Sequence, residues 1–183
     1  MTRIVVLGPP GSGKTTLASR LGGHTGLPVV DLDDLYWMPG WERPSSAKWI
    51  ETQRRVVAGG RWIISGNFGA TADIRIARAA LVVVVDPGAW TCLYRLAVRT
   101  LRIYAGNTSL LPARLRDRSR FSAHRGMHRV ARIAWRYRSD DLPAIRGLAR
   151  SRGVPVVVVH GAGDRRTLFC QLAPARTWPA ELR

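Results

Sequence analysis

Five short runs of apolar, largely β-branched residues punctuate the chain at 3 to 7, 28 to 31, 61 to 65, 80 to 86 and 154 to 159. Runs this short and continuous, without polar alternation, mark strands covered on both faces, as in a parallel sheet. Between them the spacing turns helical. Thr16 to Leu21 has helix-forming character, and Ser45 is placed to cap a helix in which Trp49, Ile50, Gln53 and Val57 share one face. From Ala89 to Tyr104, Trp90, Leu93, Ala97, Leu101 and Tyr104 form a predicted buried face, with Arg95, Arg99 and Arg102 on another. This alternation predicts a three-layer α/β fold, a parallel sheet with helices on both faces. Two stretches depart from the minimal repeat. Asp33 to Gly60 carries Pro39, Gly40 and Pro44 before its helix, and Ala105 to Ala123, with Gly106, Asn107 and Pro112, reads as a flap between two arginine-striped helices.

The first run ends in Gly8-Pro9-Pro10-Gly11-Ser12-Gly13-Lys14-Thr15, which fills every position of the G-x-x-x-x-G-K-[ST] phosphate-binding loop and stands between a strand and a helix as that motif requires. Glycines let consecutive backbone N–H groups converge on phosphate oxygens, and the following helix turns its positive end toward them. The expected ligand is a nucleoside triphosphate, held by residues 8 to 15 together with Thr16. Lys14 would reach the β- and γ-phosphates, and Thr15 would set its hydroxyl on Mg2+.

Composition adds a partner class. The 183 residues carry 29 basic and 12 acidic side chains for a net charge of +17, and Lys14 and Lys48 are the only lysines. Residues 95 to 152 hold fifteen arginines against Asp117, Asp140 and Asp141, so one segment contributes +12. Such a face must meet phosphate, nucleic acid or another acidic surface at least transiently. After the flap, Arg125, Arg129, Arg132 and Arg136 recur at helical spacing, and with Arg95 and Arg99 they would converge on one point. Arg95, Arg99 and Arg136 are the arginines expected at the transferring phosphoryl group. Solvated helix faces produce the same pattern. Tyr94, Tyr104, Phe121, Trp135 and Tyr137 interleave the basic segment, mostly at positions that read as core.

A second set of polar residues stands at the end of the second run, in Asp31-Leu32-Asp33-Asp34. The carboxyl ends of parallel strands share an edge with the phosphate loop, and strand alternation would put Asp31 and Asp33 on one side. One would support Mg2+, and the other would orient an acceptor. Helix or turn capping is the alternative role. Asp86, followed at once by Pro87, is a further acid at a strand end. Cys92 and Cys170 lie far apart without metal-ligand spacing and read as reduced core residues.

With the phosphate loop, Leu27-Pro28-Val29-Val30-Asp31-Leu32-Asp33, Leu35-Tyr36-Trp37, Pro39-Gly40-Trp41, Trp62-Ile63-Ile64-Ser65-Gly66-Asn67-Phe68, Cys92-Leu93-Tyr94-Arg95 and Trp135-Arg136-Tyr137-Arg138 assembled, the chain resembles a known group. It is similar to the small adenylate kinase-related P-loop proteins often labelled topology modulation proteins, within the nucleoside monophosphate and shikimate kinase-like group. The resemblance implies a P-loop NTPase fold with strand order 2-3-1-4-5, an acceptor-binding region at about 33 to 60 and an arginine-bearing lid near 105 to 125. It also implies ATP-dependent phosphoryl transfer, with Asp31 and Asp33 serving Mg2+ and the acceptor. Arg95 and Arg99 match the spacing of the arginine pair that opens the lid of adenylate kinases. Two departures stand out. Ser65 replaces the Asp usual before Gly-Asn, and Asn67-Phe68-Gly69 lacks the arginine that holds the AMP phosphate. A hydroxyl acceptor oriented by Asp33 fits these residues better than AMP, with Arg43, Arg54 or Arg55 available for a phosphate-bearing one.

The expectation is therefore a cytoplasmic, monomeric kinase formed by residues 1 to 172, with a short tail at 173 to 183, acting on a small-molecule acceptor. No signal-peptide pattern follows Met1, and the apolar runs are far too short to span a bilayer. The alternative is a nucleotide-dependent nucleic-acid-binding protein, although no nucleic-acid module is legible in the sequence.

Overall fold

A computed structural model describes residues 2–38, 42–111 and 127–172. Trp41, Phe121, Arg125, most of the expected lid and the 173–183 tail lie outside them. The strands are β1 (Arg3–Leu7), β2 (Val29–Asp31), β3 (Trp62–Ser65), β4 (Leu81–Val85) and β5 (Val156–Val159). They pair in parallel in the order β2-β3-β1-β4-β5. Each strand lies within a residue or two of its apolar run.

Eight helices connect them among the described residues: α1 (Lys14–Thr25), α2 (Leu32–Tyr36), α3 (Ser46–Ala58), α4 (Ala72–Ile76), α5 (Ala89–Tyr104), α6 (Met127–Arg136), α7 (Asp141–Ser151) and α8 (Ala162–Gln171). Strand residues divide between two cores, as alternating side chains on a sheet covered twice must. Ile4, Val6, Ile63, Val83 and Val85 meet Leu17, Ala18 and Leu21 of α1 and Leu168 of α8. Val5, Leu7, Ile64, Val82 and Val84 meet Trp49 and Val57 of α3, Ile76 of α4 and Leu142, Ile145 and Ala149 of α7. Ser45 caps α3 by accepting from the Lys48 amide at 3.3 Å.

Helix α5 corrects one expectation. Its buried residues are Cys92, Leu96 and Ile103, whereas Trp90, Tyr94, Leu101 and Tyr104 are exposed, Trp90 by 74%. The helix carries two apolar stripes, and its neighbours choose between them. Cys92 lies against the phosphate loop, while Leu96 and Cys92 pack with Ala134 and Val130 of α6. Trp135 is likewise exposed, in edge contact with Trp90 at 5.2 Å, while Tyr137 is buried as read. Cys92 is a buried free thiol, but Cys170 is exposed.

The packing of α1 on β2 generates a paired test. A methyl added at Gly22 would lie 2.3 Å from Val29 Cγ2 and 3.2 Å from the Leu27 carbonyl, whereas one at the adjacent Gly23 meets nothing within 4 Å. Gly22→Ala is expected to cost about 1–3 kcal/mol by overpacking. Gly23→Ala should stabilise by roughly 0.5–1 kcal/mol through helix propensity. Thermal unfolding of the two variants should shift in opposite directions.

Candidate functional site

The loop from Gly8 to Gly13 connects β1 to α1 at the carboxyl edge of the sheet, and two of its glycines are required by close approach. Gly11 has φ +81°, and a Cβ there would lie 2.4 Å from the Cys92 carbonyl of α5. At Gly8, φ +153°, a Cβ would lie 2.5 Å from the Val85 carbonyl at the end of β4. The loop is thus pressed between α5 and β4, with backbone carbonyls of both elements at the nearest contacts. Ser12 Oγ is buried within it without a hydrogen-bond partner. Gly13 immediately precedes the first turn of α1, whose positive end points into the loop.

Three elements bring side chains to the loop. Thr15 Oγ1 donates to Asp31 Oδ2 at 2.9 Å. The other carboxylate oxygen of Asp31 accepts from the Asp33 amide at 3.0 Å and so caps α2. Capping and contact with the loop are therefore simultaneous for Asp31. The route by which Asp31 and Asp33 share a site differs from the expected alternation, because β2 ends at Asp31 and the chain turns into α2 at Leu32.

Asp33 lies in the electrostatic field of Lys14 and Arg99. Burial raises its pKa above the ordinary aspartate value, and Lys14 opposes the rise. Burial lowers the pKa of the Lys14 ammonium, and Asp33 and Asp31 oppose that fall. Each charge is costly on its own and is held by the other.

Helix α5 supplies the flanking cations. Arg95 Nη1 donates to the Ser12 carbonyl at 3.1 Å. Arg99, one turn on, interacts with both Lys14 and Asp33. Arg136 points to a different use, since its Nε pairs with Asp140 at 2.9 Å. Arg138 pairs with Asp86 at 2.8 Å, so the acid at the end of β4 is committed to an ion pair. Gly88 N also donates to Asp86, at 3.2 Å.

Two cavities open beside these groups. One, of about 620 Å3, lies between Thr16 and Arg20 of α1, Arg95 of α5, and Arg165 and Phe169 of α8. The other, of about 550 Å3, is lined by Asp86, Arg138, Arg146 and His160. Arg165, Phe169 and Arg138 were not singled out by sequence reasoning as site residues. Arg165 and Phe169 follow only the spacing of α8, and Arg138 entered the sequence reading only within the Trp135-Arg136-Tyr137-Arg138 segment, without a role.

The residues present fit a magnesium nucleotide. Thr15 and Asp31 offer two hard oxygens in mutual contact at the loop, the kind of set that holds Mg2+ together with water and phosphate oxygens. The unpartnered Ser12 hydroxyl and the loop amides suit an anion. Among the described residues no helix is long and apolar enough to cross a membrane.

Comparison with known proteins agrees with this architecture. A shikimate kinase from Acinetobacter baumannii, solved in complex with shikimate, superposes with a TM-score of 0.56 at 16% identity, covering 94% of this chain and 90% of that one. An unliganded sugar kinase from a Janibacter species superposes with a TM-score of 0.52 at 20% identity, covering 96% and 98%. An adenylate kinase from Kocuria rhizophila is 42% identical over 36 residues, which is 20% of this chain and only 19% of that relative's length. Residues 4–174 match the model of the AAA domain family, and with its five-stranded 2-3-1-4-5 sheet and intact phosphate loop the chain belongs to that family.

Proposed function

We propose that this chain is a kinase that moves the γ-phosphoryl group of ATP to a small-molecule acceptor bearing a hydroxyl group. The observation that carries the reading is the convergence at one loop of Lys14, the Thr15–Asp31 contact, Asp33 and two arginines of α5. In this reading the triphosphate lies along residues 8 to 16, with its base in the 620 Å3 cavity against Arg165 and Phe169. We further propose the topology modulation type within that family, a reading supported by the resemblance of Trp62-Ile63-Ile64 and Trp135-Arg136-Tyr137-Arg138 and departed from at Ser65.

Asp33 accepts the proton of the acceptor hydroxyl as its oxygen bonds to the γ-phosphorus and the bond to the leaving ADP oxygen breaks. Lys14, Arg95 and Arg99 neutralise charge on the transferring group, an electrostatic role suited to a transition state with little covalent work for protein groups. Mg2+ held through Thr15 and Asp31 would supply further charge neutralisation between the phosphates. Arg136 belongs to the same proposal only if nucleotide draws it from Asp140.

A second reading, binding of single-stranded nucleic acid, is favoured by one observation. Trp90, Tyr94 and Trp135 stand exposed on α5 and α6 in the most arginine-rich part of the chain. Stacking platforms among cations are what such ligands use.

Lys14→Ala should lower kcat/KM by about 100- to 1000-fold, the loss typical of removing one preorganised charge donor. Near-normal turnover would take Lys14 out of the mechanism. Asp33→Asn should leave ATP affinity within about twofold while transfer falls roughly 100-fold or more, as for a lost general base. The two effects are separated by titrating nucleotide and by single-turnover transfer, with the acceptor found from a panel of hydroxyl compounds.

The pKa shifts set the pH profile of kcat/KM, which reports the free enzyme. Asp33 must be ionised, and its raised pKa moves the acid limb above the ordinary aspartate range. Lys14 must be protonated, and its lowered pKa moves the alkaline limb below the ordinary lysine range. A profile flat through both regions contradicts the assignment.

The nucleic-acid reading requires affinity that falls steeply with salt, by a log–log slope of about −0.7 per neutralised phosphate on single strands. It also requires Trp90→Ala and Trp135→Ala to weaken binding at fixed salt. Salt-sensitive binding indifferent to both substitutions leaves only the net charge.

A further inference from the structure

Arg75 of α4 is wholly buried, with 0% of its surface exposed. All four of its hydrogen bonds go to neutral oxygens: Gln53 Oε1, and the carbonyls of Thr71 at 3.4 Å, Gly66 at 3.5 Å and Asn67 at 2.6 Å. Burial lowers its pKa to about 10, which leaves it charged at neutral pH. Among the described residues it makes no direct ion pair, and the charge of Asp73 offsets its burial only in part, so it is an expensive way to stabilise a fold. Its reach explains its presence. Three of its acceptors are backbone carbonyls of one loop, residues 66 to 71, and a planar five-donor group can satisfy several at once.

That loop touches both halves of the nucleotide site. Asn67 Oδ1 accepts from the Gly8 amide at 3.3 Å, and the Gly66 amide donates to the Val6 carbonyl at 3.3 Å. Gly66 also presses on Leu32, the residue between Asp31 and Asp33: a Cβ at Gly66 would lie 2.8 Å from Leu32 Cβ. Phe68, inside the loop, holds φ +33°, a left-handed conformation that a bulky side chain keeps only when its surroundings impose it. Gln53 Nε2 donates to Thr71 Oγ1 at 2.6 Å, and that hydroxyl donates to the Phe68 carbonyl at 3.2 Å.

We infer that Arg75 is a positioning residue for the nucleotide site: it pins the 66–71 loop so that Asn67 braces the first glycine of the phosphate loop and Gly66 fixes the turn carrying Asp31 and Asp33. Arg75 touches no substrate. It acts through Asn67 and Gly66, with Gln53 and Thr71 as its supports. The inference rests on the nucleotide-binding reading above, but the brace itself exists in the ligand-free chain.

The test uses the full chain, Arg75→Lys, Asn67→Ala and the double variant, each titrated with a fluorescent ATP analogue and Mg2+ well below its unfolding temperature. Each single substitution is expected to weaken binding about threefold or more, and the double to be no weaker than the weaker single, because the two changes cut one chain of contacts. Multiplicative losses, or a lowered Tm with unchanged affinity, would overturn the inference. Hydrogen exchange at Gly8 is followed without nucleotide in the same proteins. It should quicken in Arg75→Lys as it does in Asn67→Ala, and an unchanged rate also overturns the inference. If Arg75→Lys does not fold, Thr71→Val loosens the loop without touching the buried cation, and unchanged Gly8 exchange there counts equally against it. A full chain that fails to bind the analogue while Gly8 exchange still responds sinks the kinase reading alone.

Discussion

Parallel pairing in one fixed register is the constraint on which the site depends. Val6 lies beside Ser65 and Ser65 beside Asp31, while Leu7 lies beside Val84. Strands so aligned end together, and the chain leaves each of them at the same edge. Gly8 after β1, Asp31 ending β2, Gly66 after β3 and Asp86 after β4 are thereby gathered although they are scattered over 79 positions of sequence, from 8 to 86. A one-residue slip of β2 against β3 would move Asp31 away from Thr15 and turn its alternate side chains to the other core.

Much of this was legible because it depends on local chemistry. Continuous apolar runs located all five strands, and the phosphate loop with Asp31 and Asp33 declared the edge. Arg95 and Arg99 were legible as a pair one turn apart on a helix that had to follow β4. What sequence concealed was decided by packing between distant elements. Helix α5 carries two apolar stripes, and contact of Cys92 with Gly11 selects the one with Cys92, Leu96 and Ile103 over the Trp90, Leu101 and Tyr104 face expected from periodicity. Arg136 and Arg138 look equivalent in the sequence, yet one pairs with Asp140 and the other with Asp86. Arg75 sits between Ile74 and Ile76 in a helix of five residues, and nothing in that pattern announces a buried cation.

The charge distribution gives the arginine excess a partial physical account. Arg95 is tied to the loop carbonyl of Ser12, Arg99 to the field of Asp33 and Lys14, Arg138 to Asp86, and Arg75 to backbone carbonyls. These four act by different means. A guanidinium keeps its charge when desolvated and spreads several donors in a plane, so it can hold carbonyls and carboxylates where an ammonium would lose its proton or satisfy fewer groups. The one lysine at the site, Lys14, stands where a compact charge on a flexible stem is required, and burial lowers its pKa accordingly.

Ser65 spares the site a third acid. Its hydroxyl is buried without a hydrogen-bond partner at the register position beside Asp31. A carboxylate there would add a third negative charge next to Asp31 and Asp33 and would raise the pKa of Asp33 further. Serine leaves the paired aspartates facing Lys14, Arg95 and Arg99, so the loop keeps a net positive field of about one charge from these five side chains. That field favours a polyanion over an isolated metal ion. It also leaves one acid, Asp31, to serve both the α2 cap and the Thr15 hydroxyl, with Asp33 in the field of Lys14 and Arg99. Division of labour between two neighbouring carboxylates is thus set by one turn of backbone: Asp31, which ends the strand, caps the helix, and Asp33, the second residue of that helix, lies in the field of the lysine.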